Sequence, residues 1–175
     1  MKSLAFFLAS LVFLSSCVAS KPSTLQVNYS GKTSSTEQHP PTNVYLLTAG
    51  EQPVSSYRKL GYLEISNVNE LSKGIAYDLL MYEAWKRGGN AVLDAEHSQN
   101  KVTGWPIYMA IDSLTLQKYG PGHDIENVKI GVEWAHDIDH SKKQDYEDNR
   151  ASNAVLNTLG VICLAGYYVY YNMED

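Results

Sequence analysis

The densest set of groups able to do chemistry in this 175-residue chain is His136-Asp137-Ile138-Asp139-His140, with His123-Asp124 a short way upstream. Two histidines at i and i+4 fall on one side of a helix and of an extended strand alike. Imidazole with carboxylate suits zinc or nickel, and the candidate ligands are His136, Asp139 and His140. The competing reading is a solvated face, because the run continues into Ser141-Lys142-Lys143-Gln144-Asp145-Tyr146-Glu147-Asp148. Nucleophilic catalysis has little material. The chain lacks a G-x-S-x-G elbow and a C-x-x-C pair, and Cys163 lies in an apolar run where a thiol is inert. Gly31-Lys32-Thr33 has the ending of a phosphate-binding loop, but Gln26 stands where the leading glycine belongs. The expectation is a non-catalytic protein with no cofactor.

The second thiol, Cys17, sits in a different context. Lys2 supplies a positive start, residues 4–14 are apolar except for Ser10, and small Ser15 and Ser16 precede the cysteine. Eleven residues would span roughly 16 Å as a helix, well short of a hydrocarbon core of about 30 Å, so a cleaved signal peptide over residues 1–16 is expected. Leu14-Ser15-Ser16-Cys17 resembles the lipobox of bacterial lipoproteins. The resemblance implies a diacylglyceryl group on the Cys17 sulfur, cleavage before it and acylation of the new amino group. Several chains hold a membrane where a single one binds marginally. Val18 follows where an aspartate would mark inner-membrane retention in enterobacteria, so an outer-membrane lipoprotein facing the periplasm is expected. The alternative is an ordinary secretory signal with an incidental cysteine. With Cys17 acylated, Cys163 has no intramolecular disulfide partner.

Composition agrees with a folded body on such an anchor. The chain is 44% hydrophobic and 19% charged, which argues against wholesale disorder and a polytopic membrane protein. Its net charge of −5 offers nucleic acid no electrostatic footprint.

The candidate sites must be positioned by the elements between. Residues 17–42 are rich in Ser, Thr, Pro, Gln, Asn and Lys, and read as a flexible tether. Residues 44–48 and 60–65 read as strands, separated by a loop at Pro53 and Ser55-Ser56. The clearest helix covers about residues 70–87, with Tyr77, Leu80, Met81, Ala84 and Trp85 on one apolar stripe. Ser72, Glu83, Lys86 and Arg87 fall on the opposing arc, and Gly88-Gly89 offers a left-handed cap. Strands follow at 90–96, with Ala91, Leu93 and Ala95 on one face, and at 105–112, with Ile107, Met109 and Ile111 on one face. Alternation of Val128, Ile130, Val132 and Trp134 predicts a further half-buried strand. The fold class is α+β: a small antiparallel-rich sheet covered by one main helix in the order ββαββ. An α+β domain is expected at 43–135, a charged connection at 136–153 and an apolar segment at 154–175.

Val44-Tyr45, Pro53, Tyr57, Leu60-Gly61 and the helix exit Gly88-Gly89-Asn90-Ala91-Val92 carry a second resemblance. Residues 41–114 are similar to the bacterial domain family named for heavy-metal binding. They also resemble the outer-membrane stress-sensor lipoprotein of the Rcs phosphorelay. Both imply a strand–loop–strand unit, a helix, and a Gly-Asn-Ala exit into the next strand. They imply an alternative function as an envelope metal-binding or stress-sensing lipoprotein. No cysteine falls in 41–114, so disulfide bracing is not carried over.

The stretch 154–171 holds eighteen residues without a charge. Three readings stay open: a terminal helix or strand packed on the domain, a surface docking onto a partner or bilayer, and a transmembrane segment. Thirteen tyrosines are many for this length, and tyrosine serves contact surfaces well. The expected role is a lipid-anchored accessory or interaction protein, held to the membrane by its acyl anchor, meeting an envelope protein partner, with no nucleic acid.

Overall fold

The computed structural model describes residues 24–31 and 41–172, with backbone alone at 153, 157 and 160–172. The chain divides into two compact units, Ser23–Asp139 and one that takes in His140–Asp175. The first unit holds the sheet. Its elements are β1 (Gln26–Gly31), β2 (Asn43–Thr48), β3 (Tyr57–Lys59), β4 (Gly61–Ser66), α1 (Lys73–Lys86), β5 (Ala91–His97), β6 (Lys101–Met109), α2 (Ser113–Tyr119) and β7 (His123–Asp124). Helix α3 (Ile125–Asn172) follows, and its residues from His140 onward belong to the second unit.

The seven strands form one sheet in the order β1-β4-β6-β5-β2-β7, with β3 also on β6. All pairings are antiparallel except β2 with β5. Alternation along the strands makes two cores. On one face Val44, Leu63, Ile65, Val92 and Val102 meet Leu80, Met81 and Ala84 of α1 and Val128 and Val132 of α3. On the other, Tyr45, Leu47, Ala91, Leu93, Ile107 and Met109 pack together, with Trp105 and Tyr119 against them. The α+β class, the antiparallel-rich sheet and the helix over one face are as the sequence implies.

Helix α1 starts where Ser72 Oγ accepts from Ile75 N–H at 3.4 Å, and it ends through Gly88 at φ 80°. Asn90 then stitches the exit together. It is buried, its side chain donates to Met109 O at 2.8 Å and accepts from Met109 N–H at 2.7 Å, and its carbonyl accepts from Tyr45 N–H at 2.9 Å. One residue just ahead of β5 thus ties β2 to β6, its main-chain carbonyl serving the first and its side-chain amide the second.

Several expectations are corrected. Residues 26–31, read as part of the tether, form β1, an edge strand paired with β4 from Gln26↔Ser66 to Gly31↔Gly61. Their own side chains are mostly exposed, so main-chain pairing supplies the order, together with Tyr29. The Tyr29 hydroxyl donates to Leu60 O at 2.9 Å and the Arg87 guanidinium lies 4.6 Å from its ring centroid. Residues 128–134, read as a strand, lie within α3. The Asp124 carboxylate accepts from Glu126 N–H at 2.8 Å and opens the helix. Ile125, Val128, Val132 and Ala135 are buried, whereas Ile130 and Trp134 are 52% and 63% exposed, which is helical spacing.

Smaller corrections have local causes. Glu83, placed on the polar arc, is buried; it pairs with Lys86 and Arg87 at 2.5 Å each, so its charge is answered. Asp94 adopts φ 53° at a β-bulge, so Ala95 joins the α1 face with Val92 instead of sharing a face with Ala91 and Leu93. Strand β6 begins at Lys101 and ends at Met109, leaving Ile111 beyond it and exposed. The charged connection 136–153 is helical, and the apolar segment 154–171 continues as helix. There Val155, Leu156 and Leu159 are exposed. No helix among the described residues is long and apolar enough to cross a membrane.

Candidate functional site

The sheet ends in a cleft beside β2. Strand β7 covers only the first part of β2's outer edge, pairing Asn43 with Asp124 and Val44 with His123. Past Val44 the chain on that side swings away through Pro121-Gly122. Two hydrogen bonds set its course: Asn43 Nδ2 donates to Pro121 O at 2.7 Å, and the Tyr45 hydroxyl donates to Gly120 O at 3.1 Å. The space left is about 350 Å³, at the low end of ligand sites, and Tyr45, Leu46, Glu51, Lys118, Tyr119, Pro121, Gly122 and His123 line it.

Each wall has a local cause. Glu51 folds back after the Ala49-Gly50 turn, its carboxylate accepting from Thr48 N–H at 2.6 Å and from the Thr48 hydroxyl at 2.9 Å. Helix α2 opens at Asp112, whose carboxylate accepts from Thr115 N–H and Oγ1, both at 2.9 Å. Those hydrogen bonds, with one from Ser55, hold the Asp112 carboxyl below its ordinary range. The last turn of α2 then delivers Lys118 and Tyr119. The Lys118 ammonium donates to Gln52 O at 3.1 Å and sits 4.7 Å from the Tyr119 ring centroid, and the Tyr119 hydroxyl also donates to Gln52 O. Burial pushes the Tyr45 phenol above its ordinary value, so it stays protonated as a donor.

This set can bind more readily than it can react. The hydroxyls are committed to main-chain carbonyls and the carboxylate to Thr48. Lys118 retains two N–H donors beyond its bond to Gln52, since an ammonium carries three. His123, an exposed residue, adds an imidazole to the same lining.

The residues expected to do chemistry lie elsewhere. His136 and Asp139 fall on α3 in the first unit, His136 exposed and Asp139 half-buried, while His140 opens the second unit. Among the described residues no group of three or more His, Cys, Asp or Glu is placed to hold a metal ion. Of the upstream pair, His123 reaches the cleft and Asp124 caps α3. Cys17 lies outside the described residues, and at Cys163 the backbone alone is described, as part of α3. The cleft itself gathers residues some 70 positions apart. The nearest sequence signals are the tyrosine excess and the Pro121-Gly122 turn.

No protein-family model matches this chain, and no curated protein or solved structure matches it either.

Proposed function

We propose that this chain is a lipid-anchored accessory protein of the bacterial cell envelope, non-catalytic, held in the outer membrane by acyl groups on Cys17. Its folded unit faces the periplasm and works by binding a partner. The observation that carries the reading is Leu14-Ser15-Ser16-Cys17 at the end of an apolar run too short to span a bilayer. Support for a binding role comes from the cleft beside β2, where aromatic rings and one ammonium converge around an incompletely covered sheet edge.

Metabolic labelling with radioactive palmitate tests the anchor. Label is expected on the wild-type chain, absent from Cys17→Ser, and in the outer-membrane fraction. An unlabelled wild-type chain that retains residues 1–16 by mass spectrometry overturns the reading.

A further inference from the structure

We infer that the β2 edge at Leu46 is a strand-addition site, taking a short extended peptide that carries an acidic side chain into the adjoining cleft. This deepens the binding role proposed above and rests on it.

The open edge follows from the pairing. Tyr45 N–H donates to Asn90 O, so the polar main-chain groups of Tyr45 face β5. Along a strand those groups alternate sides, so those of Leu46 face the outer edge. Strand β7 pairs only Asn43 and Val44 there, and the Glu51 carboxylate occupies Thr48 N–H. Leu46 is left between the two, its N–H and C=O directed at the cleft that its own residue lines. A peptide laid antiparallel along this edge satisfies both groups with one residue of its own, and its neighbouring side chains then enter the cleft.

Charge selects the occupant. Both Thr48 donors reach one oxygen of the Glu51 carboxylate, Oε2, which holds that group at the Thr48 end of the cleft. Lys118 holds spare N–H donors beside Tyr119, and His123 lines the same cleft. The spare donors of Lys118 call for an anion, and an aspartate or glutamate two positions along the same face of the peptide supplies it. A second copy of this chain is a poor fit. The gap is a single residue wide, bounded by β7 and Glu51, and too short for two β2 edges to pair.

Selection from a phage-displayed random heptapeptide library on the full chain in detergent micelles tests the site. Enriched peptides are expected to carry an acidic residue in an alternating, β-prone pattern. Lys118→Glu should weaken the best synthetic peptide by about tenfold or more, the loss of one charge-assisted contact. N-methylation should abolish binding at one peptide position and be tolerated at its immediate neighbours, because only alternate N–H groups face the edge. Leu46→Pro removes the edge N–H itself; since Leu46 also packs against the core, Lys118→Glu and the N-methyl scan keep the site testable if that variant unfolds. The assignment is overturned by no enrichment above a Lys118→Glu control, by indifference to N-methylation at every position, or by free glutarate competing as well as the peptide. Palmitate labelling is unaffected by any of these results, so failure of the peptide site and failure of the anchor are read separately.

Discussion

Asp78 of α1 lies directly against Gly131 of α3: a Cβ added at 131 would fall 2.8 Å from Asp78 Cβ, 2.7 Å from its Cγ, and nearer still to Oδ2. The helices pack this closely only because one of them has no side chain at the contact. Gly131→Ala gains about 1 kcal/mol of helix propensity but meets a short, branched carboxylate that cannot swing clear. Overpacking of this kind costs about 1–3 kcal/mol. Urea denaturation should show Gly131→Ala less stable than wild type. In an Asp78→Ala background the loss should shrink but persist, because the alanine Cβ still stands 2.8 Å from the added one. A stabilising effect in both backgrounds would show the contact to be loose.

The same carboxylate makes stability depend on pH. Burial raises the Asp78 pKa above 3.8, with the positive potential of His123 pulling it partly back. A raised carboxyl binds its proton more tightly folded than unfolded. The contribution of Asp78 to stability is therefore greatest at low pH and falls as pH rises from 3.8 through the folded value, then levels off. Asp78→Asn keeps the shape and discards the charge. It should be more stable than wild type at pH 7, with the difference vanishing below the ordinary carboxylate range. Thermal unfolding of both proteins across pH 3–7 measures this.

Asn90 is expected to be the costliest polar residue to lose. Its amide satisfies both the N–H and the C=O of Met109 inside the core. Asn90→Ala strands two buried main-chain groups, a loss of about 2–4 kcal/mol. Asn90→Asp keeps the acceptor but removes the donor, and it buries a charge. Both variants should unfold at lower urea concentration than wild type.

What was legible in the sequence follows from how local each cause is. The α1 helix and its end were readable because Ser72, Gly88 and Gly89 act within a few residues of where they stand, whereas Asn90 does its work on Met109 and Tyr45 across the sheet. Strand β1 was not. Its side chains are almost all exposed, so residues 26–31 show no apolar alternation, and their order comes from β4 and from Arg87 over Tyr29. The cleft was hidden for a related reason, since Leu46, Lys118 and His123 meet only after the sheet edge is built. The metal expectation drew on adjacency along the chain, whereas His123 alone of those histidines reaches the cleft.

Strand β1 should nevertheless be a real element under test. Gly31 and Gly61 pair so closely that a Cβ at 61 would lie 2.5 Å from Ser30 O and 2.8 Å from Gly31 Cα. Gly61→Val is expected to expel β1 while β4 stays on β6. Hydrogen exchange should then show amide protection lost in β1 and kept at Leu63 and Ile65. Unchanged protection at Asn28 and Ser30 would contradict the pairing.

Residues 128–134 offer the sharpest comparison, because Val128 and Val132 satisfy a period of two and a spacing of four equally. An alternating strand puts Val132 and Trp134 on one face; the helix leaves Val132 6% exposed and Trp134 63% exposed. Val132→Asp therefore buries an unpaired charge against α1 and the sheet, at a cost of about 3 kcal/mol or more. Trp134→Asp places the same group in water and should stay within about 0.5 kcal/mol of wild type. Urea midpoints of the two variants decide the matter. Equal losses would put both residues on one buried face and restore the strand, whereas a large loss at 132 with almost none at 134 is the signature of α3.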